Sequence, residues 1–117
     1  MDFPFNFTVE TISLDQVMNI REAATYLVRV EGDSMNGAGI FSGDLLVVSK
    51  AVEPKHGSIV IAVVNGSPMC KRLTFLHGLP VLKSENRGYS DLHILEGDEF
   101  SVWGVVTHSI RAHDRQP

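Results

Sequence analysis

The chain has one cysteine, Cys70, among its 117 residues. A lone thiol makes no internal disulfide, and such usage fits a reducing compartment. A catalytic cysteine wants an ordered histidine close by in space, and Cys70 reads rather as a small buried strand residue. No apolar run approaches the roughly 18 residues that a membrane span needs. The first residues, Met1-Asp2-Phe3-Pro4, carry neither a basic region nor an apolar signal segment. A cytoplasmic location without membrane contact is the expectation. Positive charge is also scarce: 10 Lys and Arg stand against 14 Asp and Glu, for a net charge of −4. Such a balance gives no phosphate-binding surface, so direct nucleic-acid binding is not expected. The five histidines are scattered. His108 and His113 are not spaced for one helix face, and no cysteine partners them, so no metal site and no cofactor are expected.

What is present is ordinary for one small globular domain: 44% apolar and 21% charged residues. Residues 1–12 alternate Phe3, Phe5, Phe7 and Val9, the period of an extended arm with one apolar side. That arm would cover this domain or a partner. Residues 13–18 read as a short helix with Ser13 as its N-cap. Strands are expected over 25–30, 44–48, 58–64, 68–75, 79–83, 91–94 and 100–110, separated by Gly, Pro and Asn turns. The run Ser58-Ile59-Val60-Ile61-Ala62-Val63-Val64 suits a strand buried on both faces, with Asn65-Gly66-Ser67 turning into its return strand. The fold class is therefore mostly β: a compact twisted sheet or partial barrel with one short helix and an extended N-terminal arm. The domain spans 13–112, and 113–117 read as a frayed tail.

Two residues carry chemistry. Ser34 lies in Val30-Glu31-Gly32-Asp33-Ser34-Met35, at the end of one strand, and Lys71 follows on a later apolar strand. A Ser–Lys pair cuts an amide bond without histidine if the lysine is desolvated enough to be neutral. Gly32 and the glycine-rich stretch that follows permit a tight turn projecting the serine hydroxyl. Met69, Cys70 and Leu73 provide apolar surroundings for Lys71. Lys71 and Arg72 point to opposite faces of a strand, so one is free to be catalytic while the other is solvated. Backbone N–H groups at Ser34 and Met35 are the candidate oxyanion hole, since no obligatory Asn or Gln is visible. The plainer reading is a turn serine and a surface lysine. Asp33 reads as a turn-shaping residue, as do Asp44 and Asp98 at strand entrances. Glu96, Asp98 and Glu99 read as a solvated acidic loop.

Ordered segments favour the chemical reading. Thr25-Tyr26-Leu27-Val28 leads to Gly32-Asp33-Ser34-Met35, then Gly39-Ile40 and Gly43-Asp44-Leu45-Leu46-Val47-Val48. His56-Gly57-Ser58-Ile59-Val60-Ile61-Ala62, Cys70-Lys71-Arg72-Leu73, Ser84-Glu85-Asn86 and Trp103-Gly104-Val105-Val106 follow. In this order the chain resembles the catalytic domain of the LexA/UmuD family of self-cleaving Ser–Lys proteins, from about residue 3 to residue 112, and most closely its UmuD-like branch. The resemblance implies Ser34 as nucleophile and Lys71 as general base. It also implies a homodimer, with residues 103–110 suggested as its surface, that serves a Y-family error-prone polymerase catalytic subunit in the bacterial SOS response. Processing in the family cuts an Ala-Gly or Cys-Gly bond in the protein's own N-terminal arm and is stimulated by RecA filaments on single-stranded DNA. Residues 1–30 hold no such pair, and Ala38-Gly39 lies too near the nucleophile to serve. The chain is therefore expected to correspond to the processed form. The alternatives are a Ser–Lys endopeptidase that cuts an uncut homologue in trans, and the catalytic half of a phage-type repressor.

Overall fold

The computed structural model describes residues 10–19 and 22–114. The expected aromatic arm falls largely on residues 1–9, outside the described residues, as do residues 115–117 of the tail. Among the described residues the elements are one short helix, α1 (Leu14–Met18), and seven strands. The strands are β1 (Thr25–Arg29), β2 (Leu45–Ser49), β3 (Ile59–Val64), β4 (Ser67–Leu76), β5 (Leu79–Lys83), β6 (Leu92–His93) and β7 (Phe100–Ile110). A 3-10 turn, Asn36–Ala38, lies in the loop between β1 and β2. The mostly β reading holds. Ser13 does stand at the helix N-cap, but its hydroxyl makes no capping bond.

All strands join one antiparallel sheet in the order β1-β2-β7-β3-β4-β5-β6. Long β7 sits between β2 and β3, and its register slips against each of them, between Val47 and Val48 and between Ile61 and Ala62. An extra residue in one strand of a pair bends and twists the sheet. The curl brings the sheet's ends towards each other. The turn that leaves β1 bonds to the segment that leaves β5: the Glu85 N–H donates to the Ser34 carbonyl (2.8 Å), and the Gly37 N–H to the Glu85 carbonyl (2.6 Å). The result is a partial barrel seamed at the candidate nucleophile.

β3 is buried on both sides, as its unbroken apolar run requires. Val60, Ala62 and Val64 pack with Leu73, Leu82 and Val105 on one face. Ile61 packs with Met35, Ile40, Leu46 and Val48 on the other. Burying each such aliphatic side chain contributes about 1.5–3 kcal/mol. Met35, next to Ser34, is thus anchored in the second cluster, which fixes the height of the Ser34 turn above the sheet.

Candidate active site

Ser34 sits half-buried two residues after Gly32, whose φ of +92° is a left-handed conformation that glycine adopts without penalty. The turn closes through backbone bonds from Asn36 to Asp33 (3.2 Å), from Ala38 to Met35 (3.0 Å) and from Ile40 to Met35 (3.3 Å). Among the described residues, none of the turn's backbone bonds is donated by Ser34 or Met35. Gly37 is required for a different reason. A Cβ built there would stand 2.5 Å from the Glu85 carbonyl oxygen, so only glycine lets the two segments bond.

Lys71 lies on β4, opposite Val60 of β3. Cys70 pairs with Ile61 on the alternate face. The Lys71 ammonium donates to the Ser84 hydroxyl at 2.8 Å and lies 5.3 Å from the centre of the Tyr89 ring. No acid pairs with it among the described residues' salt bridges. Partial burial lowers the Lys71 pKa from its ordinary value, and the neighbouring Cys70 opposes this weakly. Burial raises the Cys70 thiol to about 11, which keeps it protonated and unreactive at neutral pH.

The structure brings Ser34 and Lys71 to one strap, residues 84–89, without a hydrogen bond between their side chains. The strap's Ser84 holds the lysine, and its Glu85 holds the backbone of Ser34. Asn86 donates its side-chain N–H to the Asp33 carbonyl (2.8 Å), and the Tyr89 hydroxyl donates to the Asp33 carboxylate. Asp33 therefore shapes the turn as expected, through its carbonyl, while its side chain reaches the strap. Arg72 points away from Lys71, in keeping with strand alternation, but it is not simply solvated. It pairs with Glu85 and donates to the Gly57 carbonyl at 2.7 Å.

The sequence reading had no role for Ser84, Glu85 or Tyr89, although a register signal was available. The β4–β5 hairpin pairs Leu73 with Leu82 and Arg72 with Lys83. One further step sets Lys71 opposite Ser84.

A groove of about 400 Å³ lies between β1 and the start of β4, lined by sequence neighbours of Ser34 and Lys71. Val28 and Val30, just before Ser34, line one wall, and Met69 and Cys70, just before Lys71, line the other. Among the described residues β1 flanks it as an end strand whose sole sheet neighbour is β2.

At the far end of the glycine-rich loop, Asp44 is more than a turn residue. It accepts the Phe41 N–H (2.8 Å), as an Asx turn does, and is also buried against Arg111. The guanidinium donates from Nε to Oδ1 (2.8 Å) and from Nη2 to Oδ2 (2.9 Å). The Arg111 bonds, aided by Phe41, hold the Asp44 carboxyl at about 2 despite the opposing effect of burial. Asp98 is the turn residue expected, accepting from Leu95 and Asn65.

Comparison with known proteins shows the family. A family model described as Peptidase S24-like matches residues 4–107. Protein ImpA of Salmonella typhimurium is 38% identical over 105 residues, covering 90% of this chain and 71% of ImpA. Protein SamA of Salmonella typhimurium is 39% identical over 112 residues, covering 93% of this chain and 77% of SamA. The LexA repressor of Bordetella avium is 40% identical over 93 residues, covering 79% of this chain and 43% of the repressor. A β-domain with a serine turn and a desolvated lysine strapped together, matched over nearly its whole length, places the chain in the Peptidase S24-like family.

Proposed function

We propose that this chain is a UmuD-like accessory subunit of a Y-family translesion polymerase, acting in the bacterial response to DNA damage and carrying a Ser–Lys endopeptidase site. The observation that carries the peptidase reading is Lys71: half-buried, without a paired carboxylate among the described residues, and tied to the same strap as Ser34. Neutral Lys71 takes the proton from the Ser34 hydroxyl as Oγ attacks the scissile carbonyl. The N–H groups of Ser34 and Met35 receive the oxyanion that forms. The Lys71 ammonium then protonates the leaving amine, the C–N bond breaks, and an acyl-serine ester remains. Water, deprotonated by the same lysine, hydrolyses the ester and regenerates Ser34. An extended peptide fits the groove as an added strand on the β1 edge, which supplies main-chain partners while the apolar walls take alternate side chains. Ala-Gly or Cys-Gly is the bond class the family reading implies.

The experiment is cleavage in trans. An uncut full-length relative, with alanine at its own nucleophile, is incubated with this chain. Cleavage is expected to rise with pH as Lys71 deprotonates, and to vanish in Ser34→Ala and in Lys71→Ala. A flat pH profile overturns Lys71 as the base. Polymerase partnership is tested separately: a homodimer that co-purifies with a Y-family catalytic subunit, with binding unchanged in Ser34→Ala, supports it. RecA filaments on single-stranded DNA are the proposed stimulator of processing. The match to a LexA repressor favours a second reading, the catalytic part of a repressor; failure to bind any Y-family polymerase, with trans-cleavage intact, would favour it.

A further inference from the structure

The strap after β5 gives Ser84 a place in the same chemistry. Its Oγ lies 2.8 Å from Lys71 Nζ and makes that amine's hydrogen bond. We propose that Ser84 is a positioning residue for the general base: it holds one N–H of Lys71 so that the lone pair of the neutral amine faces Ser34. This deepens the peptidase reading and rests on it.

The argument starts from the valence of the amine. A neutral lysine has two N–H donors and one lone pair. The lone pair must meet the serine O–H, so an acceptor elsewhere is needed to stop the flexible four-carbon chain from turning it away. Charged acceptors would do this badly. A carboxylate beside Nζ would favour the ammonium and undo the lowering that burial causes. A hydroxyl accepts the same bond without a charge. Around Lys71 the structure supplies this arrangement. Cys70, the charge neighbour on its own strand, is held protonated. The nearest carboxylate on the strap, Glu85, is engaged by Arg72 on the other side of the strand. Asp33 is engaged by Tyr89. Among the described residues, the contacts of Nζ are the Ser84 hydroxyl and the Tyr89 ring.

Ser84 is also fixed. The β4–β5 ladder, continued past Arg72 and Lys83, sets it opposite Lys71. The next residue, Glu85, is bonded through both its N–H and its carbonyl to the Ser34 turn. A single backbone segment thus sets the height of the nucleophile and the direction of the base. A lysine free to rotate loses the near-attack geometry, and misplacement by about 1 Å costs about 100-fold.

The test compares wild type, Ser84→Ala and Ser84→Thr in the trans-cleavage assay across pH. The side chain of Lys71 is titrated in parallel by NMR of the isotopically labelled lysine. In Ser84→Ala the kcat plateau is expected to fall about 10–100-fold with KM little changed. The acid limb should move to lower pH, because the half-buried ammonium loses an acceptor. The NMR titration should move the same way, and Ser84→Thr should restore both. An unchanged plateau and acid limb in an active Ser84→Ala enzyme overturn the proposal. So does an NMR titration that Ser84→Ala does not move. If wild type cuts nothing while Ser84→Ala still displaces the Lys71 titration, the peptidase reading fails and the Ser84 contact stands.

Discussion

The two ends of the Gly32–Asp44 loop treat a buried charge in opposite ways. At one end Asp44, 1% exposed, accepts two bonds from Arg111 and one from the Phe41 N–H. Arg111 donates as well to the Gly39 carbonyl (2.8 Å) and lies 4.2 Å from the centre of the Phe41 ring. Every group there has a partner, and the carboxyl ionises more readily than in water. At the other end Lys71 has a neutral hydroxyl and an aromatic ring, and its proton is held less tightly than in water. A charge that is paired and hydrogen-bonded anchors a loop, whereas a charge left without a counter-ion is poised to be lost. The Asp44–Arg111 contact pins the loop at one end.

Four substitutions at three positions would break or sharpen that contrast. Gly37→Ala forces a Cβ against the Glu85 carbonyl and pushes the strap off the nucleophile turn. Trans-cleavage is expected to fall about 100-fold, and urea unfolding should show a loss of about 1–3 kcal/mol. Unchanged kinetics would mean that the strap does not set the site. Asp44→Ala strips the paired end and should cost about 2–3 kcal/mol at pH 7, read from the urea midpoint.

The pH dependence of the Asp44 contribution follows from the depressed pKa. It is complete above the ordinary aspartate value of about 4 and drains away as pH falls to about 2. The stability gap between wild type and Asp44→Asn should therefore close over that window; a constant gap would show that its origin is packing.

The smallest effect has the opposite sign. Lys71→Met removes a half-buried amine that the fold holds at a cost, so the melting midpoint should rise by about 1–3 °C at pH 7 while cleavage disappears. With the folded-state pKa lowered, the penalty is complete only below that pKa. It fades as pH rises to the ordinary value of 10.5, where the unfolded chain also sheds the proton. A midpoint that drops at pH 7 would show that the Ser84 and Tyr89 contacts outweigh the desolvation cost.

Legibility in the sequence followed the range of the interaction. Strand 79–83 and strand 100–110 were readable to the residue, because alternation and turn residues are local signals. Strand 91–94 shrinks to Leu92–His93, since a short edge strand has only β5 to pair with. Ser13 was correctly set at a helix start, yet its hydroxyl is not used there, and propensity alone does not place a rotamer. Arg111 gave no warning of its role. It follows the last strand where a tail was beginning, and its partner lies 67 positions earlier.

What the residue order determined by itself is the β-rich character, the two-sided burial of 59–64, and the placing of a serine in a glycine-rich turn and a lysine on an apolar strand. These depend on neighbours along the chain and on the two-residue period of a strand. What only the tertiary structure decided is the partner of each polar group: Ser84 for Lys71, Glu85 for the Ser34 backbone, Arg111 for Asp44. Those choices depend on how a bulged sheet curls to bring its ends together, and that curl is set by the packing of the whole core.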